Sequence, residues 1–371
     1  SERLPGFHPP AHLQFSAQHD IMNHQENQEG LPMATMKDIA NLVGVSLTTV
    51  SNVVHGNYDR VSPQTVQRIL DAIEQLHYVP NMSARALVSH SSRIIAFVDT
   101  HSPQETYAGN GFAGVLLSGL EGVVTDHGYF LMMRRGTNED VLRLMLNNWN
   151  PDGVIFKDRV PQSLVDFVKK QGKPCVTINT YLDDPELIQV RAEDRRGGYL
   201  AARHLIELGH RNILFIGAVN RGFMNNDQRY AGYCDALEEA GITPNPENLI
   251  TNLFPFKAER GIALGRQLAA QREITGVCVS GDQYAAAVIT GLREGGARVP
   301  EDISIVGFDD VDIARMTFPP LTTIHQDGIG KGRRAAEAIF AMIDGEHPDP
   351  KDFNLPVKLI VRGSTGPAHT N

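Results

Sequence analysis

The 371-residue sequence has little cysteine, a single tryptophan and no long apolar run. Its three cysteines, Cys175, Cys234 and Cys278, form no C-x-x-C pair. This excludes a zinc ribbon or a disulfide framework and is typical of buried thiols in a reducing compartment. No segment approaches the roughly 20 apolar residues of a membrane span, and the basic and apolar pattern of a signal peptide is missing. We therefore expect a cytoplasmic protein.

Positive charge is also scarce, since the formal net charge is −9. Between residues 36 and 92 the basic side chains are balanced by acidic ones, so this segment is neutral. Phosphate contacts require Lys and Arg, and composition alone therefore supports nucleic-acid binding only weakly. No Ser-His-Asp set, metal-ligand cluster or carboxylate pair stands out, so we expect neither an enzyme nor a cofactor.

The chain is long enough for two or three domains. Residues 1–32 are rich in Pro, Gln, Asn and His without apolar periodicity, which predicts a disordered extension. Residues 33–79 have the pattern of a helical head. Residues 80–92 are expected to be the linker that follows it, and a family resemblance of residues 36–87 implies that this linker contains a hinge helix. Residues 93–371 alternate β-branched runs with amphipathic segments, which predicts two doubly wound α/β lobes.

Residues 36–79 have the periodicity of three short helices. Gly44 separates the first two, Ser46 is a good N-cap for the second, and Ser62 followed by Pro63 begins the third. Apolar residues at helical spacing predict one small core: Ile39, Ala40, Val43, Val50, Val53, Val54, Val66, Ile69, Leu70, Ile73 and Leu76. Two short helices joined through a glycine predict a helix-turn-helix.

The opposite face of the second helix carries short side chains that fit a major groove: Leu47, Thr48, Ser51, Asn52 and His55. Asn52 can bond an adenine edge through two hydrogen bonds, and Leu47 can contact a thymine methyl group. We predict that these residues read DNA.

Residues 36–87 resemble the head of the lactose-repressor (LacI/GalR) family. The resemblance is carried by Lys37-Asp38-Ile39-Ala40, Gly44-Val45-Ser46, Thr49-Val50-Ser51, Leu76-His77-Tyr78-Val79-Pro80-Asn81 and Ala84-Arg85-Ala86-Leu87. It implies a hinge that becomes helical on operator DNA and pairs with a second hinge in the minor groove. In this interpretation Asn81 and Arg85 contact DNA and Leu87 wedges open the central base step.

The body resembles the effector domain of the same family, through Arg229-Tyr230-Ala231-Gly232-Tyr233, Val306-Gly307-Phe308-Asp309-Asp310 and Pro319-Pro320-Leu321-Thr322-Thr323. The resemblance implies a fold like that of periplasmic sugar-binding proteins, with the effector between two lobes. Chain crossovers are expected near Val190, near Leu321 and around Pro348. Three effector-binding residues follow: Phe112, Arg229 and Asp282.

Two features leave the chemical class of the effector undecided between neutral and anionic molecules. Ser280-Gly281 replaces the Asn that usually precedes the acidic pocket residue, and Lys157 lies just past a strand end. With Arg134, Arg135 and Arg221 in other cleft loops, an acidic or phosphorylated metabolite is an alternative to the sugar, sugar derivative or nucleoside that the family favours. The G-x-G-x-x-G run at residues 109–114 begins about ten residues after its strand, too late for a dinucleotide fingerprint.

These features predict a sequence-specific transcriptional regulator, a repressor, that binds a pseudo-palindromic operator as a homodimer or a higher oligomer. The alternatives are an activator, a regulator controlled by a protein partner, and a solute-binding protein, which the head disfavours.

Overall fold

The computed structural model describes residues 34–54, 57–78, 91–100, 111–219, 224–251, 257–349 and 351–369. The chain divides into two compact units, which we call the head (to Arg85) and the body (from Ala86). No helix in these described ranges is both long and apolar enough to cross a membrane.

The head consists of α1 (Met36–Val43), α2 (Leu47–Val54), a 3-10 turn (Tyr58–Arg60) and α3 (Pro63–Gln75). Thr35 and Asp38 form a reciprocal capping box at the start of α1, and Gly44 ends that helix with a left-handed φ of 71°. The Ser46 and Ser62 hydroxyls accept backbone N–H groups at the starts of α2 and α3. The three predicted helices and both predicted N-caps are confirmed.

The head core contains Ile39, Ala40, Val43, Val50, Val53, Ile69 and Ala72 as buried residues. Leu70 was expected in this core but is 38% exposed. One residue along a helix is a rotation of about 100°, so Leu70 lies beside the stripe that Ile69 and Ala72 define. Arg68 holds α3 to the end of α1 by donating from Nη2 to the Val43 carbonyl at 2.5 Å.

The first part of the body alternates strands and helices as predicted. Its elements are β1 (Ile94–Asp99), α4 (Gly111–Asp126), β2 (Phe130–Arg135), α5 (Glu139–Trp149), β3 (Gly153–Lys157), α6 (Gln162–Lys170), β4 (Cys175–Ile178) and β5 (Ile188–Ala192). These strands, with β11 (Asp352–Leu355), form the parallel sheet of lobe 1 in the order β11-β5-β4-β3-β1-β2.

Lobe 2 has the same construction. Its elements are α7 (Asp194–Glu207), β6 (Ile213–Ile216), α8 (Met224–Glu239), β7 (Leu249–Ile250), α9 (Ala258–Leu268), β8 (Gly276–Val279), α10 (Asp282–Glu294), β9 (Ser304–Asp309), α11 (Ile313–Met316), β10 (Thr322–Gln326) and β12 (Val357–Ile360). The sheet order is β12-β10-β9-β8-β6-β7, and β12 is antiparallel to β10. Helix α12 (Gly328–Ile343) packs on α4 and on the lobe 1 sheet.

The chain passes between the lobes three times, at Glu193, Asp327 and Pro356. The first crossover is close to the expected Val190. The expectation near Leu321 was wrong because Leu321 leads into β10, which pairs with β9 and keeps the chain in lobe 2. The expectation around Pro348 was also early, since β11 pairs with β5 of lobe 1 before the chain leaves.

Helices α7 and α8 of lobe 2 touch backbone to backbone. A Cβ on Gly198 would lie 1.8 Å from the Arg229 carbonyl oxygen, and one on Gly232 would lie 1.7 Å from the Arg195 carbonyl oxygen. Only glycine permits this approach, so the two helices are held at a fixed spacing.

Candidate functional site

The predicted DNA-reading residues of α2 lie on the side away from the buried Val50 and Val53. Leu47 is 52% exposed, Thr48 is exposed, and Ser51 and Asn52 are half-buried. This surface offers short polar and apolar groups without charge. The other predicted DNA contacts lie outside the described residues: His55, Asn81, Arg85 and Leu87.

Arg229 lies near the start of α8 and is buried. Its Nε donates to Asp194 Oδ1 at 2.9 Å and its Nη1 donates to the Ser280 carbonyl at 2.6 Å. A carboxylate oxygen of Asp309 lies 3.9 Å from Nη1, and the guanidinium stacks 3.5 Å from the centre of the Phe308 ring. The predicted effector-binding arginine is therefore held at the carboxyl ends of β8 and β9.

Asp282 begins α10 and is fully buried. Its carboxylate accepts the Thr323 hydroxyl at 2.5 Å and the Val311 backbone N–H at 3.0 Å. Burial raises the pKa of this carboxyl well above its usual value, and the nearby charge of Asp309 adds to the shift. Asp282 thus connects α10 to β10 and to the segment after β9. Asp309, whose charge acts on Asp282, also lies 3.9 Å from Arg229 Nη1.

Lys331 of α12 is fully buried at the boundary between the lobes. Its ammonium donates to Asn179 Oδ1 at 2.8 Å, just past β4 of lobe 1, and to Gln326 Oε1 at 2.7 Å, at the end of β10 of lobe 2. Gln326 in turn donates to Asp309 Oδ1 at 2.6 Å.

These contacts join polar side chains of both lobes into one continuous series. We call this series of side chains the inter-lobe ring. Asp194 completes it by accepting the Tyr181 hydroxyl at 2.8 Å. The members in order are Asn179, Lys331, Gln326, Asp309, Arg229, Asp194 and Tyr181. The ring starts and ends just after β4 of lobe 1 and passes through lobe 2, so it links the two lobes twice.

Phe112, the third predicted effector-binding residue, lies in the first turn of α4 and is 7% exposed. Its ring centre is 5.3 Å from Lys331 Nζ, and it belongs to the same buried cluster as Val311 of lobe 2. The structure thus places Phe112 next to the ring, of which Arg229 is a member. Asp282 lies near the ring member Asp309.

A second charged group, the lobe 1 charge cluster, consists of Asp99, Arg135, Lys157 and Asp158. The Lys157 ammonium pairs with Asp158 and lies 3.9 Å from Asp99, which also accepts from Arg135 Nη2 at 3.2 Å. Burial acts to lower the pKa of Lys157, but the two carboxylates outweigh it and the net shift is upward. Lys157 and Arg135 are therefore neutralised within lobe 1.

Sequence reasoning missed most of the inter-lobe ring. Asp309 lies in a quoted family motif but was given no role. Lys331 had a local signal, because it lies on the stripe that Ala335 and Ala338 continue at i+4 and i+7, and both alanines are buried. A lysine on an apolar helix stripe indicates a buried charge with a specific partner.

The side chains of the ring carry hydrogen-bond donors and acceptors whose positions are fixed by their mutual contacts. Across the described part of the chain, no group of His, Cys, Asp and Glu could hold a metal ion. Arg229 and Lys331 are buried at the carboxyl ends of parallel strands, where α/β proteins place their ligand clefts. Asp282 is buried within lobe 2.

Comparison with known proteins agrees with this geometry. Residues 35–81 match the model of the bacterial regulatory proteins of the lacI family, and residues 202–365 match a periplasmic binding protein-like domain. The HTH-type transcriptional repressor PurR of Aliivibrio salmonicida is 33% identical over 342 residues, covering 90% of this chain and 99% of that protein. The HTH-type transcriptional regulator GalR of Escherichia coli is 32% identical over 89% of this chain and 95% of its own.

A solved complex of the regulator CelR with cellobiose has a TM-score of 0.67 at 28% identity, covering 89% of this chain and 99% of that chain. The lac repressor dimer bound to operator has a TM-score of 0.76 at 24% identity, covering 90% and 99%, which supports the fold. The similarity to PurR and to GalR extends over both the head and the body. The chain therefore belongs to the lacI family of bacterial regulatory proteins and is a ligand-controlled, sequence-specific transcriptional regulator.

Proposed function

We propose that this regulator is a cytoplasmic, non-enzymatic repressor that binds a pseudo-palindromic operator as a homodimer. A small hydroxyl-rich effector, a sugar, sugar derivative or nucleoside, binds between the lobes and changes operator affinity. The observation that carries the proposal is the continuous inter-lobe ring, because a ligand that contacts it contacts both lobes at once. The pairing of Arg229 with Asp194 and of Lys157 with Asp158 leaves these groups charge-balanced, which favours binding over catalysis.

In the head, the proposal assigns base reading to α2. Leu47 and Thr48 lie exposed in its first turn and Asn52 lies one turn later, a spacing that suits contacts with neighbouring bases in a major groove. Ser51 and His55 complete the reading face, Asn81 and Arg85 contact the DNA next to the hinge, and Leu87 acts as the wedge.

The test of base reading begins with operator sequences selected from random DNA by the full chain. Asn52→Ala should then weaken operator binding by about 1–3 kcal/mol, or about 5- to 150-fold, and relax preference at one symmetric base pair. Gln75→Ala, an exposed amide at the end of α3, is the matched control and should bind normally. Equal weakening on operator and random DNA would contradict the role of Asn52.

The wedge is tested separately. Leu87→Ala should reduce operator affinity and the DNA bend angle together, since an inserted side chain kinks the duplex by unstacking a base step. Fluorescence energy transfer across a labelled operator measures the bend. An unchanged bend in the variant would rule the wedge out.

Homodimer formation is supported by a small apolar surface on lobe 2. Met316 and Phe318 are 75% and 73% exposed, and the Arg293 guanidinium lies 5.4 Å from the centre of the Phe318 ring. Exposed apolar residues grouped in this way are typical of interfaces. A double change, Met316→Glu with Phe318→Glu, should shift the mass in sedimentation to the monomer. Leu144→Glu, which alters a leucine of lobe 1 that is 61% exposed, should not.

Effector control is tested at the ring. A ligand changes operator affinity only through unequal affinity for two arrangements of the lobes. Arg229→Ala should abolish the effect of the effector while operator binding without it persists. Arg195→Ala, which removes an exposed ion pair with Asp235 on the same lobe, should respond normally. A normal response in the Arg229 variant would favour control by a protein partner.

The ligands of two solved relatives support a hydroxyl-rich effector. One relative holds cellobiose and another, at 27% identity over 74% of this chain, holds ribose. Both are neutral polyols. The buried donors and acceptors of the ring suit such hydroxyl groups.

A further inference from the structure

The cations of the cleft differ in whether a carboxylate already neutralises them. Lys157 pairs with Asp158, and Arg135 pairs with Asp99. Arg229 pairs with Asp194 and lies near Asp309. Each of these three cations therefore already has a carboxylate that balances its charge.

Lys331 differs from all three. Its ammonium has two hydrogen-bond partners in the described part of the chain, and both are neutral amide oxygens, those of Asn179 and Gln326. No carboxylate among the described residues forms an ion pair with it. An ammonium has three donors, so one remains for a further acceptor in addition to the two amides.

The position of Lys331 places this donor at the cleft. Nζ lies 5.3 Å from the centre of the Phe112 ring, and its two amide partners belong to different lobes. A buried charge is strongly unfavourable unless it is paired. The pKa supports this point, because burial lowers the pKa of the Lys331 ammonium to about 8.

We propose that Lys331 determines the specificity of the cleft and selects a hydroxyl-rich effector that carries one carboxylate, such as a sugar acid. This inference rests on the proposed function, namely that a small molecule binds between the lobes. The carboxylate accepts from Lys331, and the hydroxyl groups contact the remaining ring members. A phosphate monoester, with close to two negative charges, fits less well, because the other cations considered above are already paired.

The experiment uses the full chain and isothermal titration calorimetry with three classes of probe on matched carbon skeletons: aldonates and uronates, sugar phosphates, and the parent neutral sugars. The wild-type chain should bind at least one sugar acid at least tenfold more tightly than its neutral and phosphorylated counterparts. Lys331→Met, which keeps an unbranched side chain without the charge, should remove that preference. Lys331→Arg should keep a carboxylate preference.

The readout is the ratio of affinities within one protein, so a general loss of stability does not imitate the expected result. Tighter binding of the neutral sugars or the phosphates by the wild-type chain overturns the inference and leaves the proposed function intact. An unchanged ratio in Lys331→Met overturns it as well. If no probe of any class binds or alters operator affinity, the proposed small-molecule control fails, and this inference fails with it.

Discussion

The lobe 1 charge cluster and the inter-lobe ring each bury a lysine, but they satisfy it differently. Lys157 is neutralised by carboxylates of its own lobe, whereas Lys331 is held by amide oxygens from both lobes. Both side chains are almost inaccessible, so burial alone does not separate a structural charge from one available to a ligand. The chemical identity of the partner separates the two cases. Protein carboxylates neutralise the charge of Lys157, whereas the charge of Lys331 takes its carboxylate partner from the ligand.

The sharpest contrast between the two regions is in stability. Lys157→Met leaves Asp158 buried without its cation, and breaking a buried pair costs about 3–5 kcal/mol. Lys331→Met removes a charge that has no carboxylate partner among the described residues and leaves only two neutral amide oxygens without a donor, so it should lose less stability than Lys157→Met. Urea unfolding followed by circular dichroism measures both. Equal losses in the two variants would remove the distinction.

Asp282 gives a smaller effect in the same experiment. Asp282→Ala takes the acceptor away from the Thr323 hydroxyl and the Val311 N–H, and an unsatisfied buried group costs about 1–3 kcal/mol. Asp282→Asn keeps an acceptor oxygen and should lose less. If Asp282→Ala unfolds like the parent but loses effector affinity, the residue is a ligand contact and not a structural tie.

The pH dependence of binding sharpens the comparison further. With a pKa lowered to about 8 by burial, Lys331 loses its charge as the pH rises through that value, while Lys157 keeps its charge. Asp194, Asp309 and Asp158 favour the charged form of Lys331, and Arg229 opposes it. Sugar-acid affinity should therefore fall about tenfold between pH 7 and pH 9.

Protonation of Asp309 acts at the other end of the range. Burial raises its pKa to about 6, so below that pH a negative charge leaves the ring and sugar-acid binding should strengthen. Titration calorimetry across this range measures both trends, with Lys331→Met as the control that should show no fall above pH 8. A flat profile in the parent chain would contradict the role of the ammonium.

The smallest expected effect is in the head, where single caps hold short helices. Ser62→Ala removes the side-chain acceptor for the Thr65 N–H and should destabilise α3 by about 1 kcal/mol. Hydrogen exchange in the full chain should show faster exchange in the head and no change in the body amides. Gln67→Ala, on the same helix, is the control. Faster exchange in the body as well would mean that the two units unfold together.

The sequence predicts individual helices and their caps in the head, but in the body it predicts only the alternation of strands and helices. Helices α1 to α3 follow from local signals, because the caps at Ser46 and Ser62 and the turn at Gly44 act within a few residues. The lobes follow from the alternation of strands and helices. The position of Leu70 was missed because one residue of helical rotation decides burial.

The inter-lobe ring was mostly out of reach for sequence reasoning. Lys331 and Asn179 are 152 positions apart in the chain, and only the fold brings them together. The family resemblance predicts effector contacts for Arg229 and Asp282, yet the partners that fix them, Asp194 and Thr323, gave no local signal. The sequence shows the charge of Lys157, but its neutralisation by Asp158 and Asp99 depends on how β1 and β3 pair.

The glycine contact between α7 and α8 has a consequence for how this regulator can evolve. Any side chain at Gly198 or Gly232 would collide with backbone of the facing helix, so both positions are closed to substitution. The spacing of the helices that carry Asp194 and Arg229 is therefore conserved as long as both glycines are. A new effector preference can arise from exchanged side chains of the ring, but not from a shift of α7 against α8.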